Sequence, residues 1–206
     1  MGLPLSPEAP EPVLLDPAPS KAPMSPAPLT APISEVVASR LREVPDFPVV
    51  GVAFKDFTPL LSDGPALRAV VQDISSRYAG RVDIVVGIEA RGLILGAAVA
   101  YELGVGFVPV RKAGKLPGLT HRAQYDLEYG TAIIEVHADA FTPGMRALVM
   151  DDVLATGGTA EAACELVERA GATVEAVEVV LELCFLHGRR KLPGRQVHAI
   201  LSLQGP

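Results

Sequence analysis

Apolar positions along the chain follow two periods, and their order predicts the fold. Ile33-Ser-Glu-Val-Val-Ala-Ser-Arg-Leu-Arg42 places Ile33, Val36, Val37 and Leu41 on one helical stripe, which Pro45 and Pro48 end. The segment from Phe54 to Leu61 reads as a loop, and Ser62-Asp63 signals the start of a helix over about 64–78. Short apolar runs then alternate with helical stripes. Strands are predicted over 83–87, 106–110, 131–136, 146–150, 174–183 and 197–203. Helices are predicted over 93–103, ended by Gly104, and over 160–170, ended by Gly171. Residues 111–131 are polar and Gly-rich, without core periodicity until Tyr125. Strands alternating with helices imply an α/β fold, a twisted and mainly parallel sheet with helices on both faces. No internal repeat is visible.

Composition sharpens this picture in two places. Residues 1–32 hold 10 of the 19 prolines, so neither a regular helix nor a sheet interior is expected there. That segment reads as a disordered, partly polyproline tail, with the globular domain expected over 33–206. The rest is rich in Val, Ile, Leu and Ala and poor in aromatics (5%), which suits strands buried on both faces. The net charge of −6 argues against a nucleic-acid partner. The longest apolar run, Gly92 to Ala100, is too short to span a bilayer. No secretory signal is read, and Cys164 and Cys184 lie in no metal-binding or CxxC spacing, so buried thiols in a cytoplasmic protein are expected.

Two strand-to-helix turns carry unusual chemistry. Parallel sheets bind ligands at the carboxyl ends of their strands. In Leu148-Val-Met-Asp-Asp-Val-Leu-Ala-Thr-Gly-Gly-Thr159 the segment Ala155, Thr156, Gly157, Gly158, Thr159 would offer backbone amides, two hydroxyls and a helix N-terminus to a phosphate. Neither a Gly-Lys-Ser/Thr sequence nor GxGxxG is present. Asp151 and Asp152 beside an anion site suit sugar hydroxyls, so the stretch reads as a ribose 5-phosphate cradle. A plain strand–helix turn capped by Asp and Thr is the competing reading. The second turn, Gly87-Ile-Glu-Ala-Arg-Gly92, sets Arg91 at a helix start, where a fixed cation can fork onto diphosphate oxygens.

Asp151-Asp-Val-Leu-Ala-Thr-Gly-Gly-Thr159 resembles the phosphoribosyl pyrophosphate motif of the type I phosphoribosyltransferases. Further marks resemble the adenine-using branch of that family: Pro45-Asp-Phe-Pro48, Phe54-Lys-Asp56 with Thr58-Pro59, Gly87 to Gly92, Arg111-Lys112 with Lys115-Leu-Pro-Gly118, and Leu127-Glu-Tyr-Gly130. The resemblance covers roughly residues 35–203. It implies a type I phosphoribosyltransferase fold with a small hood, usually a homodimer. It also implies conversion of adenine and phosphoribosyl pyrophosphate to AMP and pyrophosphate, with Mg²⁺ carried mainly by the substrate and no certain protein metal ligand.

Residue by residue, the resemblance assigns Asp151 and Asp152 to the ribose hydroxyls and Ala155 to Thr159 to the 5′-phosphate. Pyrophosphate falls to Glu89, Ala90, Arg91, Arg111, Lys112 and Lys115. The adenine pocket falls to Phe54 and Leu183 as its two faces, with main-chain groups near Ala53 and Lys55 reading the base edge. Glu128 is the expected catalytic residue, handling the purine proton, with closure of 112–130 excluding water. Read from the residues alone, the basic loop could be merely solvated, Phe54 merely core, and Glu128 merely an exposed acid. His121 and Arg122 depart from the family's more neutral or acidic loop, and His137, His187 and His198 read as surface residues. Another purine (xanthine, hypoxanthine or guanine) and a non-catalytic sensor of phosphoribosyl pyrophosphate are the alternatives.

Overall fold

The central strands alternate their side chains between two helical layers, and this alternation defines the architecture. The computed structural model describes residues 31–47, 51, 53–126 and 131–205. In chain order the elements are α1 (Ile33–Ala38), β1 (Arg42–Val44), β2 (Phe54–Asp56), α2 (Thr58–Ser62), α3 (Gly64–Tyr78), β3 (Ile84–Ile88) and α4 (Arg91–Leu103). They continue with β4 (Gly106–Lys112), β5 (Thr120–Asp126), β6 (Thr131–His137), β7 (Arg146–Leu154), α5 (Gly158–Arg169), β8 (Thr173–Leu183) and β9 (Val197–Leu203). Two 3₁₀ turns, Cys184–Leu186 and Gly188–Lys191, join the last two strands.

Seven strands form one sheet in the order β5-β6-β4-β3-β7-β8-β9. β4, β3, β7, β8 and β9 are parallel, and β6 and β5 add an antiparallel hairpin at one edge. Every residue of β3 is buried. Ile84, Val86 and Ile88 join one core with Ala163, Leu166 and Val167 of α5. Val85 joins the other with Val70 and Ile74 of α3 and Leu95 and Val99 of α4. A strand apolar at every position can satisfy both layers only when each face is covered, as the sequence pattern implied. The small hood is the two-stranded β1–β2 ribbon with α2.

The main departures from the sequence reading have local causes. The first helix ends at Ala38 rather than Arg42, because Arg42–Val44 pair with β2 and Arg42 reaches the Asp56 carboxylate. Leu41 still packs on the core from outside the helix. Phe54 to Leu61 is not a loop. It is β2 followed by α2, joined by Asp56, whose carboxylate accepts from the Thr58 amide (2.9 Å) and hydroxyl (2.7 Å). Residues 120–126, read as aperiodic, form β5, paired along its length with β6. Among the described side chains of that strand only Ala123 is buried, with Tyr125 packed against the core, so this edge strand shows little apolar alternation. Of the 112–130 stretch expected to close, residues 127–130 lie outside the described residues. Of the proline-rich tail, only Ala31 and Pro32 fall within the described residues.

Close packing of α4 on the sheet depends on Gly87. A methyl group there would lie 2.5 Å from the Gly92 carbonyl oxygen and 2.8 Å from the Phe107 ring. Gly87→Ala is expected to destabilise the protein by about 1–3 kcal/mol, the usual cost of overpacking. Chemical denaturation checks this: the midpoint should fall without a change in slope.

Candidate active site

The sheet reverses its winding between β3 and β7. β3 leads through α4 to β4 on one side, and β7 leads through α5 to β8 on the other, with the two helices on opposite faces. A crevice forms at the carboxyl ends of strands where the order reverses. Both turns singled out from the sequence meet there. Gly92 brings the start of α4 against β7, where a methyl group would sit 2.6 Å from the Met150 carbonyl oxygen. Arg91, the first residue of α4, ion-pairs with Asp152 through Nε, and its guanidinium lies 5.5 Å from the centre of the Phe54 ring. The cation therefore touches both the acidic turn and the hood.

Asp151 and Asp152 do not point into an apolar interior. Asp152 is only 5% exposed, but its charge is matched by Arg91. Asp151 lines a small cavity with Ala155, Thr156, Gly157 and Thr159, and its Oδ1 accepts from the Asp152 amide at 2.8 Å. Burial, and then the neighbouring Asp152 charge, hold the Asp151 carboxyl well above the usual carboxylate range. Gly157 is the N-cap of α5, in the left-handed region at φ 83°, and no side chain caps the helix. The reading of Asp and Thr as mere caps therefore fails. The first amides of α5 have no intrahelical partners and open onto the cavity beside Asp151.

A residue that sequence reasoning passed over supports this turn. A methyl group on Gly157 would fall 2.3 Å from the Gly188 carbonyl oxygen, and one on Gly188 would fall 2.3 Å from that of Ala155. The two backbones touch. Arg189 fixes the second by forking onto Glu182 (both contacts 2.7 Å) and donating to the Val197 carbonyl (2.6 Å). No local pattern marks Gly188, because its partner Gly157 lies 31 residues earlier.

On the other side of the crevice, Glu89 accepts from Arg111 Nε at 2.9 Å and from the Lys112 amide at 2.8 Å. Those bonds, Arg111 first, hold the Glu89 carboxyl below its ordinary range. Glu89 thus orients the end of β4, while Ala90 is the uncapped N-cap of α4 and the Glu89–Ala90 peptide is cis. Lys112 and Lys115 are exposed. A second missed residue, Glu135 on β6, accepts from the Lys115 and Leu116 amides and from Arg122. Arg122, a departure from the family pattern, is thereby accounted for.

In the hood, Phe54 is half-buried and stands outside both cores; Phe57 is the core aromatic, 1% exposed. Phe47, quoted in the sequence only as part of Pro45-Asp-Phe-Pro48 and given no role, meets Phe54 edge-on with centroids 5.1 Å apart. Ala53 is exposed, and the Lys55 ammonium pairs with Glu43 across the ribbon, so only the main chain of Lys55 is available to a base. Leu183 is the last residue of β8 and is half-buried. Glu128 lies outside the described residues. His198, expected as a plain surface residue, contacts the buried Glu178 at 2.9 Å. Of the two thiols, Cys164 is buried and Cys184 only half-buried.

A Gly- and Thr-rich turn at a helix start, beside paired carboxylates at a sheet's switch point, is the arrangement to compare with known proteins. Residues 61–198 match the phosphoribosyl transferase domain, and the chain belongs to that family. It is 62% identical over 172 residues to the adenine phosphoribosyltransferase of Salinispora tropica, covering 82% of this chain and 91% of that one. Adenine phosphoribosyltransferase from Thermoanaerobacter pseudethanolicus superposes with a TM-score of 0.79 at 45% identity, over 82% of this chain and 99% of its own. The Saccharomyces cerevisiae adenine phosphoribosyltransferase, solved with an imino-altritol bisphosphate and adenine, also gives 0.79, at 38% identity over 82% and 98%.

Asp152→Asn should lower the Asp151 pKa towards the ordinary range, because it removes the adjacent negative charge. Asp151 binds its proton more tightly in the folded chain than in the unfolded one. Its contribution to stability is therefore full below the ordinary carboxylate pKa and is lost as pH rises through the raised folded value. The variant should lose less stability over that rise. A carboxyl NMR titration, with denaturation across the same pH range, checks both.

Proposed function

We propose that the chain is an adenine phosphoribosyltransferase, joining adenine to the ribose of phosphoribosyl pyrophosphate with release of pyrophosphate. One observation supports this above the others: the uncapped 155–159 turn lies beside Asp151 at the switch point, with Arg91 on the facing turn and Arg111, at the end of β4, paired with that turn's Glu89. The names of the similar proteins support the choice of adenine.

In this reading Asp151 and Asp152 grip the ribose hydroxyls, and Ala155, Thr156, Gly157, Gly158 and Thr159 hold the 5′-phosphate by backbone amides and hydroxyls. The Glu89–Arg91 turn, Arg111, Lys112 and Lys115 face the pyrophosphate. Cleavage at C1′ develops positive charge on the sugar and negative charge on the leaving group. Cations held in advance at the leaving group stabilise that separation more than they stabilise the ground state. Phe54 and Leu183 cover the two faces of the purine, with main-chain groups near Ala53 and Lys55 at its edge, so that its nitrogen is held near C1′. Glu128 takes or polarises the purine proton.

Two adjacent carboxylates, one already shared with Arg91, do not make a metal cage. They would suit a Mg²⁺ carried mainly by the substrate's own oxygens, with Asp151, which has no arginine partner among the described residues, as the residue that would help hold it. When bound, such an ion supplies charge neutralisation at the leaving group. A homodimer belongs to the reading, and Ile94 (52% exposed) and Tyr101 (87% exposed) on α4 are apolar surface that a second copy would cover. A cytoplasmic setting fits the two free thiols. No helix among the described residues is long and apolar enough to cross a membrane.

Pyrophosphate release from purified protein, Mg²⁺ and phosphoribosyl pyrophosphate with each of five nucleobases tests the reading. Adenine should be strongly preferred, and preference for hypoxanthine, guanine or xanthine would overturn the assignment. Glu128→Gln should lower kcat by about 100-fold, the usual worth of a general acid–base group. Binding of phosphoribosyl pyrophosphate should change little, and an unchanged kcat would remove Glu128 from the chemistry.

A further inference from the structure

Glu135 is a fully buried carboxylate in the middle of β6, at 0% exposure. Its neighbours across the sheet are Arg111 on β4 and Arg122 on β5, each in register with it. A buried charge persists only when its lone pairs are met. Here Oε1 accepts from the amides of Lys115 (2.9 Å) and Leu116 (3.0 Å). Oε2 accepts from Arg122 Nε (3.1 Å) and the Thr120 hydroxyl (3.3 Å). Burial alone would raise its pKa, but the amides of Leu116, Lys115 and Gly114 with Arg122 outweigh burial and keep the carboxyl ionised.

The bonds close a pattern. The Ala113 amide donates to the Ile133 carbonyl at 3.0 Å, and the Ala138 amide donates to the Leu119 carbonyl at 3.0 Å. The segment between β4 and β5 is thus tied to β6 at both ends, and Glu135 ties its middle. Successive amides converging on one carboxylate form a nest like those that hold anions. Here the anion is the protein's own, and the lysine side chains of the same segment are exposed.

We propose that Glu135 is a positioning residue for the leaving group: it holds the 113–116 turn against β6 and so sets where Lys115, with Lys112 and Arg111, presents charge to a diphosphate. This rests on the reading of those cations as the pyrophosphate site. Charge alone predicts the opposite effect. Removing a negative group among four cations strengthens the local positive field and, by itself, would tighten the binding of pyrophosphate.

The test reads inhibition by inorganic pyrophosphate and by AMP in the full chain, in three variants. Glu135→Leu removes both acceptors and should raise the pyrophosphate Ki about tenfold, the effect of losing one charge-assisted contact, with the AMP Ki unchanged. Glu135→Gln keeps one acceptor oxygen for the Lys115 and Leu116 amides and should recover most of that loss. Lys115→Ala should also raise the pyrophosphate Ki. An unchanged or lowered pyrophosphate Ki in Glu135→Leu overturns the proposal while a raised one in Lys115→Ala leaves the pyrophosphate site standing. An unchanged Ki in Lys115→Ala removes Lys115 from that site, and the proposal falls with it. Should Glu135→Leu not fold, amide hydrogen exchange on the unaltered protein decides. Slow exchange at Lys115 and Leu116 supports the anchor, and exchange at unprotected rates overturns it.

Discussion

At the centre of the molecule two strands and the helices that follow them come closer than ordinary side chains permit. Gly87 and Gly92 let α4 lie against β3 and β7, and Gly157 and Gly188 let the turn after β7 touch the backbone beyond β8. Each pair trades a side chain for backbone proximity. The result is that two helix N-termini, both without side-chain caps, open towards one crevice. Amides left free by geometry, rather than a cluster of basic side chains, form one wall of the site, and they can do so only while those glycines hold the elements together.

The other wall is electrostatic, and acids organise it. The chain carries a net charge of −6, yet its crevice presents arginines and lysines. Three carboxylates reconcile these facts. Asp152 takes Arg91, Glu89 takes Arg111 and the Lys112 amide, and Glu135 takes Arg122 with the 115–116 amides. Each is largely buried, so its bonds act in a poorly screened setting and fix direction as well as charge. Cations arranged before a ligand arrives need little reorganisation when charge develops on it. Asp151 differs: among the described residues it has no cation partner of its own, and burial with a like charge next to it raises its carboxyl pKa.

Legibility followed burial. β3, β7 and β8 are covered on both faces and were readable as mainly apolar runs, α3 as a stripe behind the Asp63 cap and α4 as a stripe ended by Gly104. β5 was hidden because an edge strand needs only Ala123 and Tyr125 on the core and can be polar elsewhere. The first helix was overdrawn because its stripe includes Leu41, which reaches the core from a different backbone conformation. Phe54 could be read as core or as base platform from sequence alone. The burial of Phe57, and the placing of Phe54 against Arg91 and Phe47, take Phe54 out of the core.

Residue type and order by themselves established the alternating α/β plan, the paired acids, the Gly- and Thr-rich turn and the basic segment, because each is a property of a few adjacent residues. Tertiary structure alone decided that Arg91 meets Asp152, that Gly188 props the 155–159 turn, and that Glu135 bonds the basic loop. Those contacts join positions 61, 31 and 20 residues apart. A hydrogen bond or a close approach across such separations depends on the strand order and register, which no local pattern of side chains encodes.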